Sequence, residues 1–576
     1  MEKAQKATPN FTNPLLRFSY LCAMRIIRKA LHILGLVLGT VALLLLIFSI
    51  YIYNVSDFPE PEIADTTAYS LTVQQGQGAL ATIGHNWIRK NEYGLYEMYV
   101  AGKPFERGVI NGKLSRQLIV DQEIAFTDEI KRMIPSGGYL RFLKYVIGFM
   151  NRGLPDHVTQ EYKDEIYGIS HAASGEFDWI GDKYDRILSY HAAHDIGHAL
   201  QNMMLVGCTS FGAWGNKTED GAMLIGRNFD FWVGDKFAEN KIVNFVKPDK
   251  GYSFAFITWG GFIGVVSGMN DQGLTVTINA AKSSIPYNAA TPVSLVAREV
   301  LQYASTIEEA VAIAKKREMF VSESFLIASA NDHKAVVIEK TPAQLSVYDP
   351  ATNDIQCTNH YQSKLFEQQK LNKEQKQNSA SVYRYQRLQE LLHENYPLTP
   401  QKMATILRDR KGLGNINIGN GNEKAINQLI AHHSIIFMPD SLRFWVSTSP
   451  WQLGAYVCYD LKKIFSMEGL QGNTEISLSA LTIPADSFLQ SKEYADFLLF
   501  RKNKMALLHQ QPIDTAQTVQ SNPFFYDAYR IVGDYCKENK WNAAAIRYYQ
   551  KALQLEIATA EERKAIEEKI VECKRG

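Results

Sequence analysis

The sequence predicts an α+β protein, a sandwich of β-sheets covered by helices, with one apolar helix ahead of it and a helical region behind it. Three observations predict this. Short strand-like runs separated by turn residues fill 208–350 and resume near 435. Segments with apolar residues at three- and four-residue spacing flank and interrupt them, and sheets with covering helices form a layered sandwich. Finally, 576 residues exceed what one hydrophobic core usually organises.

Residues 1–32 read as a cytoplasmic basic segment and 33–53 as a transmembrane anchor. The stretch ILGLVLGTVALLLLIFSIYIY carries no charge, and at about 1.5 Å per residue it spans roughly the 30 Å hydrocarbon core of a bilayer. A cleaved signal peptide is the alternative, but its apolar stretch is usually about 7–15 residues and ends at small residues. This one ends in Tyr-Ile-Tyr-Asn. Lys3, Lys6, Arg17, Arg25, Arg28 and Lys29 precede the run, and Asp57, Glu60, Glu62 and Asp65 follow it. That asymmetry places the amino terminus in the cytoplasm and the rest of the chain outside it, in the periplasm or extracellular space. Gly35 and Gly39 form a small-xxx-small pair through which two such helices could pack.

After the linker Phe58-Pro-Glu-Pro, the segment 54–207 reads as mixed and largely helical, typified by LSRQLIVDQEIAFTDEIKRMI. The domain 208–500 opens with the strand-like runs SFAFITW, GFIGVVSGM, GLTVTINA, SFLIASA, AVVIEK and LSVYDP. Asn270-Asp-Gln-Gly273 and Asn331-Asp-His333 supply turns between them. Helices are expected at 292–304 and 306–316, the second opening with a Thr306…Glu309 capping box. A polar helical stretch containing SVYRYQRLQELLHENY precedes the runs IIFMPDSLRFWVSTSP and QLGAYVCYDL, where the sheet resumes. Residues 520–576 read as two helices and a third, spaced as in one tetratricopeptide-type hairpin. One repeat cannot bury its apolar face alone, so it packs on the main domain or binds a protein partner.

Composition excludes several functions. With 61 basic and 60 acidic residues, the net charge of +1 gives no field that recruits nucleic acid. The six cysteines, Cys22, Cys208, Cys357, Cys458, Cys536 and Cys573, form no CxxC pair and no staple pattern. No Walker A loop or GxGxxG fingerprint appears, so no nucleotide or nicotinamide cofactor is expected. His191, His194 and His198 with Asp195 could hold a metal on one helical face, but without HExxH spacing no metal is assigned. The pair His432-His433 reads as structural, at a strand start with no partner.

Chemistry concentrates around Cys208. The segment Gly207-Cys-Thr-Ser-Phe-Gly-Ala-Trp-Gly215 is followed by Gly226-Arg-Asn-Phe-Asp230, Gly268-Met-Asn-Asp-Gln-Gly273 with Asn279 beyond, and Thr358-Asn-His360. In this order the set resembles the cysteine branch of the N-terminal-nucleophile hydrolases. The particular likeness is to the isopenicillin-N (acyl-coenzyme A:6-aminopenicillanic acid) acyltransferase family, and more distantly to choloylglycine hydrolase and penicillin V acylase. Upstream, Ala101-Gly-Lys-Pro-Phe-Glu-Arg-Gly108 is similar to that family's pro-region. The resemblance covers roughly 90–465 and implies a four-layer αββα sandwich, a pro-segment within 54–207, and self-cleavage between Gly207 and Cys208. It also implies an S-acyl enzyme on Cys208 acting on a non-peptide amide or acyl donor, with Arg227, Asp230, Asn279 and Asn359 as the other site residues.

Physical logic supports these residue types. A thiol at a freed amino terminus has its own α-amine, titrating at about 7.7–8.0, as proton acceptor. Arg227 favours a thiolate and Asp230 can hold the ammonium. The asparagines Asn279 and Asn359 supply oxyanion donors. Asn270 and Asn331 read as turn residues, and Arg443 as either a distant pocket wall or a cation packed on Trp445. Phe229, Phe231, Trp232, Phe254, Phe256 and Trp259 either line an acyl pocket or fill core. The rival function is a non-catalytic anchored scaffold whose helical tail binds partners.

Overall fold

The computed structural model describes residues 14–55, 57–133, 136–200, 207–283, 288–470, 472 and 474–575. Lys3 and Lys6, cited above for orientation, lie outside the described residues, as do the side chains of Arg17, His194 and His198. The chain divides into two units, 1–57 and 58–576. The first contains one helix, Pro14–Val55, whose stretch Phe18–Asn54 has a mean hydropathy of 2.8 and is long and apolar enough to cross a membrane.

The second unit is built on two sheets. Its strands are β1 (Gln74–Gln75), β2 (Ala81–Ile83), β3 (Asn86–Lys90), β4 (Tyr96–Gly102), β5 (Thr209–Ala213), β6 (Leu224–Phe229), β7 (Ile242–Pro248), β8 (Phe254–Thr258) and β9 (Ser267–Asn270). They continue as β10 (Leu274–Ala280), β11 (Glu323–Ser329), β12 (Lys334–Lys340), β13 (Leu345–Tyr348), β14 (Asp354–Cys357), β15 (His433–Met438), β16 (Arg443–Ser447) and β17 (Tyr456–Asp460). The larger sheet has the order β1-β2-β3-β4-β7-β8-β9-β10-β11-β12-β13, and the smaller β14-β5-β6-β15-β16-β17. Strand β4 pairs parallel with β7, from Tyr96↔Ile242 to Gly102↔Pro248.

Period-two alternation sorts each strand's side chains between two layers. Val243, Phe245, Ile257 and Val337 of the larger sheet meet Ile225, Phe437, Val446 and Tyr459 of the smaller one in a core between the sheets. The opposite face of the larger sheet, with Phe254, Phe256, Val276 and Ile327, packs on helical residues such as Ile110, Ile166, Leu188 and Leu301. The outer face of the smaller sheet, with Phe211, Leu224, Ile436 and Trp445, is covered by Leu388, Leu392, Met403 and Leu407. The layers therefore run helix, sheet, sheet, helix.

Two expectations need correction. The segment after the linker is not largely helical from its start, because β1 to β4 are woven into the larger sheet before the helices begin. The apolar run GFIGVVSGM is strand only from Ser267; its first half is a buried loop that receives hydrogen bonds from neighbours, as in Thr258 Oγ1 to Phe262 O (2.7 Å). Elsewhere the helices Val293–Tyr303 and Ile307–Lys316 form as expected, the latter with its capping box. The helices Tyr526–Glu538, Asn542–Ala552 and Ala560–Arg575 bury their apolar faces together with Leu429, Trp451 and Leu453 of the main body.

The helices Pro104–Leu114 and Gln160–Ser170 cross at Gly108 and Gly168. A Cβ on Gly108 would lie 2.0 Å from the Glu165 carbonyl oxygen, closer than any atom can sit. We expect Gly108→Ala to destabilise the fold by about 1–3 kcal/mol or more, since the backbones must part. A lowered urea midpoint would register this, and an unchanged midpoint would show that the crossing is slack.

Candidate functional site

Cys208 is the residue immediately before β5, fully buried in the smaller sheet. Alternation turns Phe211 and Ala213 toward the covering helices and Ser210 toward the larger sheet, where its Oγ donates to Asn279 Oδ1 at 2.7 Å. On β6 the same rule separates Asn228, whose amide donates to the carbonyls of Leu407 and Ile426 beneath the helices, from Ile225, Arg227 and Phe229, which face the seam between the sheets. Arg227 is buried there. Its guanidinium donates to Val266 O at 2.7 Å, to Ser267 Oγ, to Ile278 O and to Cys208 Sγ at 3.5 Å.

A second guanidinium closes the site from the helix Ser381–Asn395. Arg384 donates to Cys208 O (2.7 Å), Thr209 Oγ1 (2.8 Å) and Asn359 Oδ1 (2.7 Å). The amide nitrogen of Asn359 donates to Ala280 O at 2.9 Å and that of Asn279 to Cys357 O at 3.0 Å. Each side-chain amide carries two N–H groups, so each keeps one in reserve. Gly207 is held at both ends of its peptide unit: its N–H donates to Asp230 O at 2.9 Å, and its carbonyl accepts from Gln428 Nε2 at 2.7 Å.

Electrostatically the site is dry and crowded. Asp230 is buried with no hydrogen-bond partner on either carboxylate oxygen. Desolvation raises it from 3.8 to about 7, against the opposing pull of Arg384 and Arg227. Burial also pushes the Cys208 thiol upward, outweighing Arg227, with Asp230 and Glu323 adding to the rise. The cation is thus adjacent to the sulfur, as expected, yet in the uncut chain dehydration wins.

The sequence-derived residues Cys208, Arg227, Asn279 and Asn359 are therefore linked by direct contacts or through Ser210 and Arg384, while Asp230 sits in the field of both guanidiniums. Sequence reasoning missed Arg384, Gln428 and Glu323. A helical-face reading could have found Arg384, because it shares the buried stripe of Leu388 and Leu391 at four- and seven-residue spacing. Gln428 lies in irregular chain with no pattern to mark it. Glu323 opens β11, paired with Ala280 beside Asn279, and is buried with neither oxygen hydrogen-bonded. Desolvation keeps it neutral well above the usual carboxylate range.

Other expectations change. The pair His432-His433 does have partners: the two Nδ1 atoms lie 2.9 Å apart, and His433 Nε2 meets Ser267 Oγ at 2.8 Å. Burial keeps both imidazoles neutral. His191 uses both ring nitrogens, on Ile187 O and Ile263 N, and Asp195 accepts from Val293 N. Arg443 pairs with Asp460 at 3.7 Å. Since Phe437 opposes Ile225, Arg443's partner Met438 is level with Leu224, roughly 20 Å along the strand from Asp230 at about 3.3 Å per residue. Asn270 is a turn and cap residue, accepting from Gln272 N and Leu274 N. Of the six aromatics, Phe229, Phe231 and Trp259 gather with Phe237 and His432 next to the site. Phe254 and Phe256 join the helix-side core, and Trp232 lies under Arg132.

A buried thiol, a guanidinium on its sulfur, a carboxyl titrating near neutrality and two amides with N–H groups in reserve form a cysteine site equipped for acyl transfer, set in the seam of a helix-covered double sheet. Residues 216–446 match the family model described as acyl-coenzyme A:6-aminopenicillanic acid acyl-transferase, and that segment belongs to this family. It includes Arg227, Asp230, Asn279, Asn359, Arg384 and Gln428, while Cys208 lies ahead of its first residue. An uncharacterized protein of Archaeoglobus fulgidus is 30% identical over 243 residues, 38% of this chain and 39% of that one. Protein dcd1B of Dictyostelium discoideum is 21% identical over 290 residues, 46% of this chain and 53% of that one. The chain thus spans 39% and 53% of the length of these two relatives. Among solved structures, an N-acylethanolamine-hydrolyzing acid amidase ortholog of Caenorhabditis elegans is similar at 19% identity, covering 40% of this chain and 93% of that one with a TM-score of 0.29. The conjugated bile acid hydrolase of Clostridium perfringens is similar at 16% identity, with coverages of 47% and 96% and a TM-score of 0.32.

The raised Asp230 gives a pH signature. Between its ordinary value of 3.8 and about 7 the folded chain keeps a proton that the unfolded chain has lost, so stability declines as pH rises through that window. Asparagine does not titrate. The melting temperature of wild type relative to Asp230→Asn should therefore fall from about pH 4 to about pH 7 and level off above it. A difference independent of pH would remove the buried-carboxyl description.

Proposed function

We propose that this chain is a cysteine N-terminal-nucleophile amide hydrolase or acyltransferase that cuts its own backbone between Gly207 and Cys208. The carrying observation is the buried Cys208 thiol with Arg227 at 3.5 Å and both sides of the preceding peptide unit held by hydrogen bonds. Cleavage supplies Cys208 with an α-amine, which takes the thiol proton as sulfur attacks the acyl carbon of a linear or cyclic amide. The reserve N–H groups of Asn279 and Asn359 receive the oxyanion, and Asp230 holds the ammonium. Water or an acceptor amine then resolves the thioester. Family membership of 216–446 supports this chemistry, and the aromatic cluster of Phe229, Phe231, Phe237 and Trp259 supports an apolar acyl group. The apolar stretch Phe18–Asn54 supports a single-pass anchor, and the charge asymmetry around it supports a catalytic unit outside the cytoplasm. The three C-terminal helices act as a tetratricopeptide-like module packed on the body.

Intact mass gives the first test: wild type should separate into residues 1–207 and 208–576 under denaturing conditions, while Cys208→Ala stays one chain. Processed protein offered a panel of N-acyl amides should release free amine and carry the acyl mass on the peptide beginning at Cys208. Asn279→Ala should lower that turnover by an amount equivalent to about 2.7–4 kcal/mol while the fold is retained. Labelling spread over all six cysteines with no amide turned over would leave an anchored scaffold as the better account.

A further inference from the structure

Resting on the self-cleaving reading above, we infer that Gln428 is the oxyanion donor for the cleavage step. The oxygen on which charge develops in that step is the carbonyl oxygen of Gly207, and Gln428 Nε2 already donates to it at 2.7 Å. This lies within the range at which oxyanion donors act. No other side-chain donor to this oxygen is found among the described residues. Gln428 is buried, so its hydrogen bond is made without competition from water.

The surroundings hold this amide in place. Ile426 O accepts from Asn228 of β6, Asn427 N donates to Asp409 O at 2.8 Å, and Asn427 Oδ1 accepts from Leu429 N at 2.9 Å. Leu429 sits at φ 56°, a left-handed conformation that a leucine rarely adopts and that persists only where neighbours enforce it. The fit also explains the residue before the nucleophile: a Cβ on Gly207 would lie 2.4 Å from Gln428 Nε2 and 2.6 Å from its Oε1. Glycine is the one residue there that lets the amide approach.

The step balances within the chain. The Cys208 sulfur bonds to the Gly207 carbonyl carbon, the carbonyl π electrons move to oxygen, and Gln428 N–H stabilises the oxyanion. Collapse breaks the bond from that carbon to Cys208 N, which leaves as the α-amine carrying the proton from the thiol. A water molecule then hydrolyses the thioester, giving the Gly207 carboxylate and the free Cys208 thiol.

The experiment follows freshly synthesised full-length chain in detergent micelles by intact mass over time. Gln428→Ala should slow conversion to two pieces by about 10²–10³-fold relative to wild type. Gln428→Glu keeps the shape but loses the N–H, so it should be slow at pH 8. Its deficit relative to wild type at the same pH should shrink as acid protonates the new carboxyl into a donor, a change that a purely structural role would not produce. Cleavage of Gln428→Ala at the wild-type rate, or a Gln428→Glu deficit independent of pH, overturns the donor role while self-cleavage stands. Wild type that stays whole overturns the self-cleaving reading and the donor role with it.

Discussion

A guanidinium taken out of water loses hydration worth several kcal/mol and recovers it only where its N–H groups meet acceptors. Arg227 projects from the smaller sheet and finds nearly all of them on the larger one, at the carbonyls of Val266 and Ile278 and the hydroxyl of Ser267. This requirement ties the two sheets in register at the end where Cys208 emerges. Ser267 in turn meets His433, and Ser210 meets Asn279, so the positions of sulfur, asparagine and imidazole all follow from one charge seeking partners across the seam.

The same dryness sets the protonation of what surrounds the thiol. Two carboxyls, Asp230 and Glu323, are buried without hydrogen bonds, and both are pushed toward the neutral acid. Arg384 answers Asp230 across the site and also carries Asn359. Two cations and two mostly uncharged acids leave the seam with an excess of positive potential in the uncut chain. A thiolate or an oxyanion forming there would be favoured by that excess once it forms, although burial opposes the ionised thiol at rest.

Much of this was legible in the sequence where periodicity carried it. The alternating runs became β8, β10, β11, β12 and the strands of the smaller sheet, and the capping box at Thr306 opened its helix. Cys208, Arg227, Asp230, Asn279 and Asn359 could be singled out because they lie in short ordered motifs at strand ends. What escaped notice has physical reasons. Strands β1 to β4 are short, and their membership of the larger sheet depends on pairing with β7, more than 140 positions away. The run Gly261–Val266 reads as strand by composition, but Gly261 at φ 79° and the hydrogen bonds of its buried loop direct it otherwise. Gln428 acts from irregular chain, and His432-His433 acquires its partner only when β9 is laid against β15.

The parallel pairing of β4 with β7 has a mechanical consequence. Seven consecutive residue pairs, Tyr96↔Ile242 through Gly102↔Pro248, join chain on either side of Cys208 inside one continuous sheet. A break between Gly207 and Cys208 would therefore produce two polypeptides but no separable part, since neither could leave without opening the middle of the larger sheet and exposing its core. The apolar helix Pro14–Val55 is covalently continuous with β4 alone. Any tether it provides would reach the thiol-bearing piece as a shear load across that strand pair, so β4 and β7 would serve as the rivet between a surface and everything that follows residue 207.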